Sequence, residues 1–303
     1  MKLLVTGASG FLGRNVIEAA RQRNWDVVGL YWKSKTFLDF ATKAGCQAVR
    51  HNLLRDQRVW DADVCIYLAG NSNHSRSVTS PVSDLRLNVE ALQRFMTGFH
   101  GALVLLSSAA VYDNHTGLVS PATHMNPLFP YGISKLTAER YLGYWVHKDR
   151  ISWSTILRLY YAYGPHDHEK RLIPKLLRAV TGGDGTFTVT AHEGSLIDPL
   201  YSADVAAALL AAARGRARNA TLDLCSGRPL TIRQLVRDVA EHLGTTLRVK
   251  AQPRIEEWPV RFYSDPDELQ LKLGLKRFLS LKEGVQHYAR WIRAHTLPLE
   301  TSA

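Results

Sequence analysis

The sequence predicts an α/β protein built on a doubly wound parallel sheet, and three observations support this prediction. Apolar runs of strand length alternate with helical patterns from the N-terminus to about Tyr163. Three glycines, Gly7, Gly10 and Gly13, stand between the first strand and the first helix. The unbroken apolar run Ala102–Leu106 is typical of a strand that is buried on both faces. Each crossover between parallel strands is expected to be right-handed, which places helices on both faces of the sheet.

The first strand, Lys2–Thr6, leads through the glycines into an amphipathic helix from about Phe11 to Arg23. Gly7 permits a tight turn, Gly10 lets the backbone approach a pyrophosphate, and Gly13 lets the helix pack closely on the strand. The pyrophosphate would bind the amides at the helix N-terminus. This pattern predicts a Rossmann-type dinucleotide-binding domain, and the alternative is a glycine-rich turn without a ligand.

The second strand, Asp26–Tyr31, ends without the acidic residue that would hold the ribose 2′-hydroxyl of NAD. Lys33 and Lys35 follow it, and their ammonium groups match the 2′-phosphate of NADP. The predicted cofactor is therefore NAD(P), and the charges favour NADP. The alternative is that both lysines are solvated loop residues.

Ser107 and Ser108 end the strand that begins at Ala102, and such strand ends deliver side chains to the ligand crevice. Tyr131 and Lys135 occupy positions i and i+4 on one face of a predicted helix. The ammonium of Lys135 is expected to lower the pKa of the Tyr131 phenol, which could then exchange a proton with an alcohol oxygen near neutral pH. The alternative is a surface tyrosine and lysine on an amphipathic helix.

Taken together, the glycines, the serine at a strand end and the Tyr-x-x-x-Lys motif resemble the extended short-chain dehydrogenase/reductases. This group contains nucleotide-sugar epimerases, dehydratases and ketoreductases. The resemblance continues through Asp63–Gly70, Asn88–Leu92, Arg158–Pro165, Tyr201–Ala206 and Cys225–Ile232. It implies that Ser108, Tyr131 and Lys135 are catalytic. Tyr131 would move the proton on the reacting oxygen, Ser108 would hydrogen-bond that oxygen, and Lys135 would hold the nicotinamide ribose.

The resemblance also implies which residues contact each ligand, including Asn52 beside the adenine. The residues predicted to bind the cofactor are Gly7, Ser9, Gly10, Phe11, Leu12, Gly13, Tyr31, Lys33, Lys35, Asn52, Leu53, Leu68, Ala69, Gly70, Asn88, Ser107, Tyr131 and Lys135. The residues predicted to bind the substrate are Asn71, Ser108, Ala109, Ala110, Tyr161 and Arg261.

The two residues after Ser108 distinguish among the activities found in this group. Dehydratases usually carry an Asp-Glu pair there, whereas this chain has two alanines. The resemblance therefore implies an NAD(P)-dependent nucleotide-sugar epimerase or 4-ketoreductase rather than a 4,6-dehydratase. Three positions differ from the pattern of the resembled group and bear on the substrate. Tyr161 stands where the group often has Asn, Ile197 where it often has Arg, and Asp113 where it usually has Gly. Two alternatives stay open, an NADP-dependent carbonyl reductase acting on a non-sugar substrate and an NAD(P)-binding sensor without catalysis.

The second half of the chain alternates between two predicted domains. The resemblance implies a Rossmann domain of residues 1–163 and 196–225, interleaved with a smaller C-terminal substrate-binding domain of residues 164–195 and 226–303. Thr231 is expected to cap a helix that Gly244 ends. Predicted helices lie at Asp84–Phe99, Tyr131–His147, Lys170–Val180, Ala203–Arg214, Thr231–Leu243 and Lys282–His295, and a sixth strand at Trp153–Leu159.

Composition excludes several classes of protein. The 303 residues are 46% hydrophobic, enough for one large or two unequal domains. The net charge of +11 is dispersed, which argues against nucleic acid and fits a polyanionic cofactor and substrate. The longest apolar stretch, Val205–Ala213, is too short to cross a membrane, and no signal peptide is expected, because Met1 leads directly into a predicted strand. Three widely spaced cysteines indicate a cytoplasmic protein. The His166–His168 segment lacks further ligands for a metal.

The helix Tyr131–His147 carries Tyr141, Tyr144 and Trp145, more aromatic surface than one buried face needs. Members of the resembled group commonly pair this helix and Asp84–Phe99 with their copies across a two-fold axis. A homodimer is therefore expected. The alternative is that these aromatic residues all belong to the core of one chain.

Overall fold

The computed structural model describes residues 1–182, 186–189, 192, 194–252 and 259–295. In chain order, its strands are β1 (Lys2–Thr6), β2 (Asp26–Tyr31), β3 (Gln47–Arg50), β4 (Val64–Tyr67), β5 (Ala102–Ser108), β6 (Thr116–Leu118), β7 (Ser154–Leu159), β8 (Tyr161–Tyr163), β9 (Thr186–Val189), β10 (Leu196–Ile197), β11 (Pro199–Tyr201), β12 (Ala220–Leu224), β13 (Leu230–Thr231), β14 (Arg248–Ala251) and β15 (Arg261–Tyr263). Its helices are α1 (Phe11–Arg21), α2 (Phe37–Ala44), α3 (His74–Thr79), α4 (Pro81–Leu85), α5 (Ala91–Thr97), α6 (Pro130–His147), α7 (Leu172–Gly182), α8 (Ser202–Ala213), α9 (Ile232–His242), α10 (Asp267–Leu273) and α11 (Leu281–His295).

Seven of these strands form one parallel sheet in the order β12-β7-β5-β4-β1-β2-β3. β1 pairs with β2 on one side and with β4 on the other, so the direction of winding reverses between β1 and β4. The carboxyl ends of these two strands open a crevice, and doubly wound sheets bind their ligands at this position. The predicted doubly wound parallel sheet is confirmed.

Alternate residues of the central strands pack into different layers, because successive side chains of a strand point to opposite faces. Leu3 and Val5 of β1 belong to an apolar cluster that includes Leu209 of α8. Leu4 belongs to a second cluster that includes Leu142 of α6. The second cluster therefore fixes α6, the helix with the Tyr-x-x-x-Lys motif, against the sheet.

The predicted helix Asp84–Phe99 is not one continuous α-helix. α4 ends at Leu85, a π-helical turn follows over Arg86–Glu90, and α5 ends at Thr97. Such turns insert an extra residue into a helix and are frequent at functional sites. Here the turn contains Asn88, which is 3% exposed.

A further apolar cluster connects α7, α9 and α11 through Leu176, Val236 and Val285. The capping prediction for α9 is confirmed, because Thr231 and Gln234 hydrogen-bond each other's backbone amides. The predicted division into two domains stays a prediction. α10, which that division assigns to the substrate domain, packs in the cluster of the sheet through Leu269.

The three cysteines are buried and form no disulfide. Over the described ranges, no helix has the length and apolar character needed to cross a bilayer. In the same part of the chain, no three His, Cys, Asp or Glu side chains are grouped so that they could hold a metal ion.

Candidate active site

A cleft of about 890 Å³ opens where β1, β4 and β5 end. Most of the residues predicted to contact ligands line it: Gly7, Ser9, Gly10, Phe11, Leu12, Gly13, Tyr31, Lys33, Asn52, Leu53, Leu68, Ala69, Gly70, Asn71, Ser107, Ser108, Tyr131, Lys135 and Tyr161. Five predicted residues are absent from its described lining: Lys35, Asn88, Ala109, Ala110 and Arg261.

The three glycines form a cradle that side chains would fill. Gly7 has φ +64°, and a Cβ atom there would lie 2.9 Å from the amide nitrogen of Ala69. A Cβ atom on Gly13 would collide with the carbonyl oxygen of Gly7. Gly10 immediately precedes α1, whose first amides lack partners within the helix and can bind an anion. The cradle therefore fits the pyrophosphate of a dinucleotide.

The end of β2 forms the part of the cleft that the sequence assigns to adenosine. Lys33 is exposed and lines the cleft, whereas Lys35 lies outside it. Sequence reasoning missed Trp32, which lines this part of the cleft, and Arg50, which packs on it. The Arg50 guanidinium is 4.7 Å from the centroid of the Trp32 ring. Asn52 lines the cleft, but its side-chain carbonyl accepts a hydrogen bond from the backbone two residues later. The electrostatic argument for NADP therefore rests on Lys33.

Ser108, Tyr131 and Lys135 meet in this cleft as the sequence predicts. Ser108 ends β5, and Tyr131, whose pKa is lowered by the Ser108 hydroxyl, lies in the first turn of α6. Lys135 lies one turn further along α6, and its Nζ donates to the carbonyl oxygen of Leu106 at 2.8 Å. The three side chains are therefore placed together, while their catalytic roles stay predictions.

Burial has the largest effect on the pKa values of Tyr131 and Lys135. It raises the pKa of Tyr131 to about 12, although the Ser108 hydroxyl lowers it. Burial also lowers the pKa of Lys135 to about 8. The net shift of the Tyr131 pKa is upward, and Lys135 is not among the groups that act most strongly on it, so the predicted lowering by Lys135 stays a prediction. The Lys135 ammonium is bound to a backbone carbonyl, and desolvation of the phenol outweighs the effects of nearby charges.

His74, which sequence reasoning missed, packs on the catalytic tyrosine. The centroids of the His74 and Tyr131 rings are 4.4 Å apart, and both residues line the cleft. Asn73 caps α3 by accepting a hydrogen bond from the amide of Arg76 at 2.9 Å, which fixes where His74 begins that helix. This packing contributes to the burial of Tyr131, which is 7% exposed.

Asn71 and Asn88 support the cleft through a buried network around Asp84. The Asn71 side chain donates to Asp84 at 2.6 Å, so this amide is not directed at a substrate as predicted. Asn88 donates to Asp84 and to Ser134, and its carbonyl accepts the amide of Asn71. A Cβ atom on Gly70 would collide with Asn88. Asn88 therefore shapes the loop after β4 rather than contacting the cofactor.

A second buried network, which the sequence did not predict, lies behind Ser107. The Ser107 hydroxyl donates to Glu139 at 2.5 Å, so it is not directed at the cofactor as predicted. Glu139 accepts two hydrogen bonds from Arg158, at 2.6 and 3.0 Å. Arg158 also donates to Tyr112 at 2.6 Å, and Tyr112 donates to Asp223 at 2.9 Å. Burial raises the pKa of Asp223 to about 6. The network ties the ends of β5, β7 and β12 to α6.

The loop between β8 and α7 forms another wall of the cleft. Asn15 of α1 donates to the carbonyl oxygen of Pro165 at 2.9 Å and so anchors this loop. His166 has φ +67°, which is uncommon for a residue other than glycine. Asp167 and Arg171 line the cleft and form an ion pair at 3.1 Å. Sequence reasoning expected no metal site at His166–His168, for lack of further ligands, and did not single out Arg171.

The remaining predicted substrate contacts are placed differently. Tyr161 lines the cleft, and its hydroxyl is buried without a hydrogen-bond partner among the described residues. Ala109 and Ala110 are buried in a 3₁₀ turn after β5, where Ala109 packs against Phe262 and its neighbours. Arg261 begins β15, which pairs with β6, and its side chain is exposed. A direct contact between the substrate and these alanines or Arg261 finds no support.

The chain is similar to several known proteins in sequence and in structure. A family model described as "NAD dependent epimerase/dehydratase family" matches residues 3–223. A UDP-glucose 4-epimerase of Neisseria meningitidis serogroup C is 25% identical, with 96% of this chain and 97% of that protein covered. A dTDP-glucose 4,6-dehydratase of Mycobacterium tuberculosis strain H37Rv is 26% identical over 60% of each chain. The structure of MoeE5 in complex with UDP-glucose and NAD has 27% identity and a TM-score of 0.84, covering 97% of this chain and 99% of that one.

Proposed function

The chain belongs to the NAD dependent epimerase/dehydratase family, and on this premise we propose that it epimerises a UDP-linked hexose by reversible hydride transfer. Membership confirms the prediction of an enzyme of the extended short-chain dehydrogenase type. The observation that carries the proposal is one cleft that contains both the glycine cradle and the set Ser108, Tyr131 and Lys135.

The cleft supplies one group suited to move a proton on a sugar oxygen. Tyr131 takes the proton of a sugar hydroxyl as that carbon is oxidised to a ketone, and it returns the proton as hydride adds back to the opposite face. The Ser108 hydroxyl lowers the pKa of Tyr131 and so favours its ionised form. The bound dinucleotide supplies the carbon that accepts and returns the hydride.

The two alanines after Ser108 favour epimerisation over dehydration. Removal of water from a sugar needs further acid and base groups beside the reacting carbons. Ala109 and Ala110 have none, and both side chains are buried. The 26% identity to a dehydratase covers 60% of each chain, but this chain still has no acid or base side chain at positions 109 and 110.

A sugar nucleotide is favoured over a non-sugar carbonyl substrate. MoeE5 is described in complexes with UDP-glucose and with UDP-glucuronic acid, each together with NAD. The second candidate is an NADPH-dependent 4-ketoreductase, favoured by Lys33 and by the missing carboxylate at the end of β2. An epimerase retains NAD through the cycle, whereas a reductase must exchange its cofactor.

We expect the identity of the bound dinucleotide to separate these two candidates. Protein purified and then denatured should release NAD, and it should convert UDP-glucose to UDP-galactose without added cofactor. Lys33→Ala should lower the affinity for NADPH, because it removes an ammonium that can meet the 2′-phosphate, and it should leave the affinity for NADH unchanged. Lys35→Ala, outside the cleft, is the matched control. Release of NADP, or tighter binding of NADPH than of NADH with no conversion of UDP-glucose, would establish the reductase instead.

We also propose that the enzyme is a homodimer built on α4 and α6. Val82 and Tyr144 on these helices are 70% and 52% exposed, and Leu85, Ile133 and Tyr141 are also exposed. α4 and α6 are in contact, and exposed apolar side chains on neighbouring helices are typical of protein interaction sites.

Tyr144→Glu is expected to convert the dimer to monomers, because it places a charge at an exposed apolar position of α6. Light scattering at micromolar concentration measures the mass, and dinucleotide binding should be unchanged. Leu271→Glu, on α10 at a residue that is 84% exposed, is the control and should leave the dimer intact. A wild-type mass of one chain contradicts the proposal.

A further inference from the structure

The imidazole of His74 packs directly on the tyrosine to which the proposed function assigns the proton transfer. The centroids of the His74 and Tyr131 rings are 4.4 Å apart, and the ring planes are inclined by 41°. At this separation the two rings are in contact, and both residues line the cleft. A sugar that brings one hydroxyl to the Tyr131 oxygen therefore brings its neighbouring substituents next to this imidazole.

His74 lies on the other side of the crevice from the glycine cradle. α1, which begins at the cradle, packs into the apolar cluster of one face of the sheet through Val16. α6 packs into the cluster of the opposite face through Leu142, and α3, which His74 begins, is in contact with α6. The imidazole is therefore placed beside the acid–base group and not beside the position that fits the pyrophosphate.

Hydrogen bonds on both sides of His74 fix its backbone. The Asn73 side chain accepts the amide of Arg76 at 2.9 Å, and the Asn73 carbonyl oxygen accepts the side-chain amide of Asn71 at 3.0 Å. The hydroxyl of buried Ser77 donates to the carbonyl oxygen of His74 at 2.6 Å. The imidazole therefore projects from a backbone that is already ordered, which lowers the entropic cost of binding a ligand group.

The imidazole of His74 has hydrogen-bonding capacity that the chain does not use. The residue is exposed, and neither of its ring nitrogens has a hydrogen-bond partner in the part of the chain that the structure describes. Each of the other three histidines that line the cleft within the described ranges has a polar partner: His51 with Asp56 at 3.7 Å, His166 with Glu18 at 3.3 Å and His168 with the amide of Lys170 at 3.2 Å. His74 is therefore the histidine of this cleft that is free to bind a ligand.

The chemistry of this imidazole matches a neutral hydroxyl group. The surrounding protein displaces water from the cleft wall, and this desolvation lowers the pKa of His74, although Asp84 raises it. His74 is therefore uncharged at neutral pH, with one ring nitrogen as a donor and the other as an acceptor. A sugar hydroxyl both donates and accepts, whereas a phosphate or a carboxylate is better matched by a cation.

We propose that the imidazole of His74 hydrogen-bonds a sugar hydroxyl beside the one that meets Tyr131, and that it thereby selects sugars that carry this hydroxyl. The inference rests on the proposed function, because Tyr131 must meet a sugar hydroxyl. An analogue without the second hydroxyl would leave the imidazole desolvated and unpaired, and such unpaired groups are what allow a site to reject an analogue. His74 forms and breaks no covalent bond in this role.

Two substitutions separate this role from simple packing on Tyr131. His74→Phe keeps an aromatic ring against Tyr131 and removes both nitrogens. His74→Gln keeps a donor and an acceptor and removes the ring. A hydrogen bond to the sugar predicts weaker sugar binding in His74→Phe and near-normal binding in His74→Gln, whereas a packing role predicts the reverse.

The test measures binding by titration calorimetry in the Tyr131→Phe background saturated with NAD, which keeps the ring that His74 contacts and slows turnover. We expect UDP-glucose to bind His74→Phe about three- to tenfold more weakly, the usual contribution of one hydrogen bond between neutral groups. UDP alone should bind with unchanged affinity, as should NAD to the unsaturated protein. His100→Phe, at an exposed histidine outside the cleft, is the matched control and should bind UDP-glucose normally.

Two analogues identify the hydroxyl. With Tyr131 acting on the oxygen at C4, the neighbouring hydroxyls are those at C3 and C6 of the sugar. UDP-3-deoxyglucose lacks the first, and UDP-xylose lacks the second together with its carbon. The effect of His74→Phe should disappear with one of these two analogues and persist with the other.

Unchanged affinity for UDP-glucose in His74→Phe overturns the inference, as does a loss in His74→Gln without one in His74→Phe. An equal loss with UDP alone, weaker binding of NAD, or an effect that persists with both analogues overturns it too. His74→Leu, which also lacks polar side-chain atoms, replaces His74→Phe where that variant does not fold. Absence of UDP-glucose binding before any change at His74 overturns the proposed function and this inference together, and so is distinct from failure of the inference alone.

Discussion

Tyr131→Phe is expected to lower turnover of UDP-glucose by about 10²–10⁴-fold, the usual contribution of one proton-transfer group. The substitution removes only the hydroxyl and keeps the ring that packs on His74. The fold and the affinity for the dinucleotide should therefore be unchanged. The measurement is the rate of sugar-nucleotide conversion, with dinucleotide binding determined in parallel by titration.

The pH dependence of the wild type follows from the raised pKa of Tyr131. A base must be deprotonated, and its pKa lies near 12 in the protein chain alone. The rate of sugar oxidation should therefore rise with pH across the range below that pKa, and the rise should disappear in Tyr131→Phe. Tyr141→Phe, on an exposed position of the same helix, is the matched control. Turnover at the wild-type rate in Tyr131→Phe would remove Tyr131 from its proposed role.

The sequence predicts the cofactor cleft well because its determinants are local. Gly7 and Gly10 lie between β1 and α1, Gly13 lies in the first turn of α1, and the required backbone geometry follows from their spacing. Tyr131 and Lys135 are likewise related by one helical turn. Ser108 is located by the end of its apolar strand.

The contacts that the sequence missed join residues far apart in the chain. Arg171 owes its position to the loop that Asn15 anchors at Pro165, a contact across 150 residues. Nothing in the order of the amino acids near Arg171 reports this contact. The same holds for Trp32 and Arg50, which stack although they lie on loops and strands that only the folded sheet brings together.

The direction of the Tyr131 pKa shift also could not be predicted from the sequence. The spacing to Lys135 shows that a cation is near in the chain, but the shift depends on how completely the phenol is desolvated. His74 and α6 together bury it, and the Lys135 ammonium binds the Leu106 carbonyl. Charge proximity can be inferred from a motif, whereas burial is a property of the whole fold.

The buried ion pair between Arg158 and Glu139 has the largest expected effect on stability. The two side chains are 3% and 5% exposed, and their shortest contact is 2.6 Å. Glu139→Ala would leave the guanidinium buried without its counter-charge and remove the acceptor of Ser107. The free energy of unfolding is expected to fall by about 3–5 kcal/mol, the usual cost of removing one partner of a buried pair. Chemical denaturation, with the dinucleotide at a fixed concentration, measures this loss.

Two further variants test whether the uncompensated charge is the cause. Glu139→Met combined with Arg158→Met removes both charges and should be less destabilised than Glu139→Ala, because apolar residues of similar volume can replace a buried pair. It should still be less stable than the wild type, since Tyr112 then loses its donor Arg158. Glu268→Ala breaks an exposed pair with Lys272 at 2.7 Å and should change the free energy of unfolding little. If Glu139→Ala is no more destabilised than Glu268→Ala, this pair does not hold the ends of β5 and β7 on α6.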